Sequence, residues 1–163
     1  MNRNTQKLYA GIGSRETPEP ILALMQRCAK ALSAEGYTLR SGGAKGADLA
    51  FSSGANPRMR IIYTPKDSIP SWAFVTVDKF HPASDRLSYY ARRLHARNAM
   101  ILLGADGRTP VQFILCWTPQ ARVTGGTGQA LRIAQVHGIP VFNFANDEHR
   151  ARLEKYANDH IRD

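Results

Sequence analysis

Short apolar runs bounded by glycine or proline alternate along the chain with stretches of helical spacing. Residues 7–12 predict a first strand. Thr17 and Pro18 then open a helix as N-cap and first helical residue. Ile21, Leu24, Met25, Cys28 and Leu32 recur at its period, and Gly36 closes it. Residues 37–40 predict a second strand, 47–53 a short helix and 59–63 a third strand. The stretch 64–80 reads as a loop holding Pro65, Pro70 and Trp72, with a short strand over 73–77. Residues 84–99 predict a helix with Leu87, Tyr90, Ala91 and Leu94 on one face; 100–103 either continue it or turn. Residues 111–117 are the most apolar strand candidate, followed by a helix over 128–137 and a last strand over 139–144. A polar helix over about 147–161 is expected on the outside.

Strand and helix in alternation predict an α/β fold: one domain over residues 1–163, doubly wound, with a mainly parallel sheet and helices on both faces. Such folds bind ligands beyond the carboxyl ends of their strands. Three glycine-rich turns fall there, holding Gly11, Gly13, Ser14 and Arg15, then Ser41, Gly42, Gly43, Lys45 and Asp48, then Thr124, Gly125, Gly126, Thr127, Gly128 and Gln129. Glycine lets backbone N–H groups approach a ligand closely, and a following helix adds partial positive charge. Together the turns point to one pocket for a phosphate-bearing ligand.

The charge reads either as a preference for anionic partners or as a solvated basic surface. Of 163 residues, 22 are Lys or Arg and 13 Asp or Glu, a formal net charge of +9. No apolar run is long enough to span a membrane, and the first residues do not resemble a secretory signal. Cys28 and Cys116 read as separate buried thiols, which suits a cytoplasmic protein. No Cys/His cluster has metal-ligand spacing, and neither metal nor cofactor is expected.

Individual residues carry two readings each. Gly11 and Gly13 serve either a tight strand-to-helix turn or a phosphate. Ser14 and Arg15 favour the phosphate, since a hydroxyl and a guanidinium both bind one well. Asp48 is either a ribose-hydroxyl acceptor or the cap of its own helix. Trp117, Tyr63 and Trp72 either stack on a base or pack internally. His81, His95 and His137 read as surface or packing residues. Glu16 stands where the dinucleotide fingerprint needs its third glycine, and no Walker A pattern occurs, so ATP hydrolysis is not expected. Arg86, Arg92, Arg93, Arg97 and Asn98 form a basic helical stretch, of which Arg97 and Asn98 lie where the chain turns back to the sheet.

The order Gly11-Ile12-Gly13-Ser14-Arg15, Ser41-Gly42-Gly43-Ala44-x-Gly46-Ala47-Asp48 and Arg97-Asn98 resembles the Rossmann-like core of the DNA-processing protein A family. That family belongs to the SLOG nucleotide-binding group, which includes the LOG phosphoribohydrolases. The resemblance covers about residues 7–144. Thr124–Arg132 followed by Gly138-Ile139-Pro140-Val141-Phe142 looks most like small stand-alone members often carried by bacteriophages, whose setting would be the host cytoplasm. LOG enzymes carry a glutamate for N-glycosidic cleavage in their Pro-Gly-Gly-x-Gly-Thr-x-x-Glu motif. Its position here falls on Arg132, so a glycosidase would need Asp48, Asp85 or Asp106 to stand in, with Asp48 as the catalytic candidate.

The resemblance implies a nucleotide-binding protein that holds phosphate or ribose on its glycine turns, with Arg15, Lys45 and Arg97 supplying charge. Thr127 and Gln129 would donate hydrogen bonds, and Trp117 would stack on the base. Sequestration of a signalling nucleotide and self-association belong to the same expectation. A nucleoside 5′-monophosphate N-glycosidase and a single-stranded DNA-binding protein are the alternatives.

Overall fold

The computed structural model describes residues 6–160. Five strands and six helices alternate in it. They are β1 (Leu8–Gly13), α1 (Glu19–Ala34), β2 (Thr38–Gly42), α2 (Ala47–Gly54), β3 (Arg60–Tyr63), α3 (Ser71–Phe80), α4 (Tyr89–Leu103), β4 (Phe113–Trp117), α5 (Gly125–Val136), β5 (Val141–Asn143) and α6 (Asp147–His160). The strands are all parallel, in the order β3-β2-β1-β4-β5. The expected α/β architecture, with helices on both faces of a parallel sheet, is the observed one.

Alternation along the strands separates two cores. Leu8, Ala10, Ile12, Ile114 and Cys116 face α3, α4 and α5, where Val77, Ala99 and Ile133 complete the packing. Tyr9, Leu39 and Leu115 face the opposite way, onto Met25 and Cys28 of α1, Phe51 of α2 and Ala157 of α6. Cys28 and Cys116 are both free and buried, and burial pushes each thiol up to about 12.

Several boundaries differ from expectation for local physical reasons. Residues 71–80, read as loop and strand, are helix: Ala73 and Val77 are both buried, four residues apart on one face. The valines and threonine of this stretch imitate a strand in composition. The helix expected from residue 84 begins at Tyr89, because the Ser88 hydroxyl accepts a hydrogen bond from the Ala91 N–H at 3.1 Å and caps it. Residues 84–86 form a separate 3₁₀ turn. Residues 100–103 continue α4. Thr17 caps nothing: its hydroxyl donates to the Ser14 carbonyl at 2.6 Å, Pro18 holds the N-cap position, and α1 starts at Glu19. The expected strands over 111–117 and 139–144 shorten to β4 and β5. Helix α5 begins three residues early, at Gly125. Of the expected C-terminal helix, residue 161 lies outside the described residues.

Between β4 and α5 the chain takes an unusual path. Gln120 and Ala121 both have positive φ, 56° and 58°, which costs an L-residue about 1–2 kcal/mol. Gln120 is exposed, so its side chain contributes little to offset that strain. Gln120→Gly is therefore expected to stabilise the fold by roughly 0.5–1 kcal/mol, after allowing for the added freedom of the unfolded chain. Denaturant unfolding with an unchanged m-value is the check.

Candidate functional site

A cavity of about 550 Å³ opens at the carboxyl ends of β1 and β4. The strand order makes this the switch point of the sheet: β2 and β3 follow β1 to one side, while β4 and β5 lie on the other. Its volume falls in the range of small-molecule sites. Its wall comes from residues 12–16 at the end of β1, Ala44 before α2 and Asp48 in its first turn, one side of α4 between Ala91 and Asn98, Thr118 and Pro119 after β4, and Thr124–Thr127 at the start of α5.

Helix α5 presents its N-terminus to this space. The Thr124 side chain makes no capping hydrogen bond, so the first-turn N–H groups have no side-chain partner there. A Cβ built on Gly125 or Gly126 would meet nothing within 4 Å, and both residues are exposed. Gly125 needs its freedom because its φ is +69°. Gly126 has no such backbone reason and no packing reason. Its bare backbone leaves the positive end of α5 open to the cavity.

Opposite lies Arg97, 6% exposed. Its Nη1 donates to the Tyr63 carbonyl at 3.1 Å and its Nε to Asn98 Oδ1 at 3.0 Å. These bonds fix the guanidinium plane, and Nη2 has no protein partner among the described residues. Burial lowers the Arg97 pKa, with Asp48 opposing the shift. The guanidinium stays charged in any aqueous pH range.

Asp48 sits beside it, 5% exposed, with Oδ2 accepting from the Ala44 N–H at 3.4 Å. Gly42 separates the two charged groups: a Cβ there would collide with the Arg97 guanidinium and stand 2.6 Å from Asp48 Oδ2. Burial pushes the Asp48 carboxyl up to about 6, while Arg97, the Ala44 N–H and Arg15 pull it down. Oδ1 makes no hydrogen bond among the described residues and is the open acceptor of the site. His95, also in the wall, is pushed down to about 4 by burial first and then by His81, Arg132 and Arg97. It is therefore a neutral imidazole at neutral pH, packed on His81 with ring centroids 4.8 Å apart.

Of the candidate site residues singled out from sequence, Gly13, Ser14, Arg15, Asp48, Arg97, Asn98 and Thr124–Thr127 line the cavity. The others do not. Gly11 is bare because the Phe51 ring occupies the space of its Cβ. Even Gly13 packs tightly, with Ala47 Cβ at 2.7 Å from where its own would stand. Ser14 spends its N–H on the Trp117 carbonyl and its hydroxyl oxygen on the Glu16 N–H. Ser41 is buried and its hydroxyl donates to the Gly11 carbonyl at 2.6 Å. Gly42 underlies Arg97, while Gly43 and Lys45 are exposed outside the wall.

Gly128 packs against the Val123 backbone. Gln129 is fully buried, and its Oε1 accepts from Arg132 Nη2 at 2.8 Å and Nε at 3.2 Å. Trp117 follows Phe113 and Leu115 onto the α1–α6 face, across the sheet from the cavity. Sequence reading missed Glu16, His95, Thr118 and Pro119 in the wall. The signal for Thr118 was its place directly after the most apolar strand.

No family model matches the chain, and no curated relative matches it. Among solved structures it is similar to DNA processing protein A from Helicobacter pylori, a protein described for its single-stranded DNA binding mode. The two share 16% sequence identity over 96% of this chain and 82% of that one, with a TM-score of 0.60. The likeness is one of fold. No helix among the described residues is long and apolar enough to cross a membrane, and none of their His, Cys, Asp and Glu side chains form a group of three or more placed to hold a metal.

Proposed function

We propose that the protein binds a nucleotide, with a phosphate on the open N-terminus of α5 facing Arg97 and Arg15. The observation that carries this reading is Gly126: a wall glycine with ordinary φ and no neighbour within 4 Å of a would-be Cβ, at an uncapped helix start. Backbone N–H groups, the helix dipole and a fixed guanidinium converge there, which is the usual chemistry of a phosphate site. The open Oδ1 of Asp48 takes a sugar hydroxyl. Arg132, held by Gln129, supplies no carboxylate where LOG enzymes carry their glutamate, which favours a ligand that is held rather than cut.

Single-stranded DNA is the second reading. It is favoured by the fold shared with a single-stranded DNA-binding protein and by the net charge of +9. Salt separates the two: an oligonucleotide that neutralises several phosphates loses affinity steeply with salt, whereas a mononucleotide loses little.

The test is calorimetric titration with nucleoside 5′-monophosphates and a short oligothymidylate, on the wild type and on Gly126→Leu. The variant is expected to keep its unfolding free energy within about 0.5 kcal/mol, since the site has no neighbours to disturb. Its side chain fills the approach to α5, and affinity should fall at least about 10-fold. A wild type that saturates with none of these ligands would falsify the reading. Chromatography of the recovered ligand separates a binder, which returns it intact, from a glycosidase, which releases base.

A further inference from the structure

The wall between β4 and α5 holds a buried polar pair. Thr118 is 1% exposed and lines the cavity; Asn143, at the end of β5, is 6% exposed. The Asn143 amide has one allowed orientation. Its Oδ1 accepts from the Ala145 N–H at 3.0 Å and from the Thr118 N–H at 3.4 Å. Both partners are donors, so the oxygen must face them and Nδ2 must face the Thr118 hydroxyl, which accepts its proton at 2.8 Å. The Asn143 backbone is held in turn, its N–H donating to His149 Nδ1 at 3.0 Å.

A hydroxyl carries one proton and two lone pairs. With Asn143 donating to it, the Thr118 oxygen is engaged as an acceptor, and its own proton has no protein acceptor among the described residues. That proton is left for whatever fills the cavity. An amide carboxamide in place of a carboxylate at 143 is what gives the pair this polarity. Resting on the nucleotide reading above, we propose that Thr118, set by Asn143, is a dedicated hydrogen-bond donor to a phosphate oxygen of the ligand. It is a contact separate from α5 and Arg97, and Asn143 acts as its positioning residue.

Three variants test this with the same nucleoside 5′-monophosphates and oligothymidylate. Thr118→Ser retains the hydroxyl and should bind within about 2-fold of wild type. Thr118→Val removes the donor and should bind about 10-fold more weakly. Because the valine also leaves Asn143 Nδ2 unpaired and lowers stability, the decisive variant is Asn143→Asp. Its carboxylate still accepts from the Ala145 and Thr118 N–H groups, but the Thr118 hydroxyl now donates to it, so the fold is kept and the proton withdrawn from the cavity. Binding should fall about 10-fold or more with the melting temperature retained, and most of the loss should persist at high salt.

A loss that vanishes at high salt belongs to the added charge alone and overturns the proposal. Equal binding by wild type, Thr118→Val and Asn143→Asp also overturns it while leaving the nucleotide reading intact. A wild type that binds no probe removes both.

Discussion

Replacing Arg97 with methionine should cost the fold about 3 kcal/mol and remove measurable nucleotide binding. Two consequences add to the lost charge. The Tyr63 carbonyl, at the end of β3, loses the donor 3.1 Å away that ties this edge of the sheet to α4. Asp48 loses the cation that most strongly opposes the cost of its burial, and a buried carboxylate stripped of its counter-charge is strongly destabilising. Methionine fills similar volume, so the loss is not one of packing. Denaturant unfolding measures the first effect. The second needs titration under conditions where the variant remains folded. If Arg97→Met unfolds like wild type, the guanidinium is not the element that holds β3 to α4. If it binds nucleotide like wild type, the anion site does not include Arg97.

The glycine turns show what sequence can and cannot disclose. The first two stand at the ends of β1 and β2 and the third at the start of α5; their place beyond the carboxyl ends of the strands was legible because a parallel α/β sheet leaves few alternatives for turns that follow apolar runs. Their physical roles were not legible. Gly11 is bare for Phe51, Gly42 for Arg97 and Gly128 for the Val123 backbone, and these are demands of packing that arise only once distant segments meet. Of the glycines in these three turns, Gly125 and Gly126 are the ones whose missing Cβ would meet nothing within 4 Å. A glycine makes the same mark in a sequence whether its missing side chain admits a neighbour or a ligand.

Side-chain direction divides in the same way. The alternation of Phe113, Leu115 and Trp117 against Ile114 and Cys116 already places Trp117 with the first set. What the sequence lacked was the face on which the cavity lies, and that is set by α4 and α5. Thr118 follows β4 and Asn143 ends β5, and neither has meaning alone. Residues 71–80 show the competing signals within a single stretch: β-branched composition argued for a strand, and the burial of Ala73 and Val77 four residues apart decided for a helix.

Asp48→Asn should act in opposite directions on stability and binding. The folded-state carboxyl is pushed up to about 6 from its ordinary value of 3.8, because burial outweighs Arg97, the Ala44 N–H and Arg15. The folded protein therefore holds the proton more tightly than the unfolded chain does, and ionisation above the folded pKa weakens the fold. As pH falls from 7 through 6 toward 4, the wild type gains stability, and the gain is complete once both states are protonated. An asparagine at 48 resembles the neutral acid at every pH. The variant should thus be more stable than wild type by about 2–3 kcal/mol at pH 7, with the difference closing near pH 4. On the proposed reading nucleotide affinity should drop about 10-fold, because an asparagine oxygen kept on the Ala44 N–H puts the Nδ2 donor where the sugar hydroxyl needs an acceptor. Unfolding free energies at several pH values, paired with calorimetry, read both effects. A variant less stable than wild type at pH 7 would mean that Arg97 and Arg15 more than offset the burial of this charge. A more stable variant that binds equally well would mean that Asp48 faces the cavity without touching the ligand. Gain in one and loss in the other is the signature of a charge retained for function at the expense of the fold.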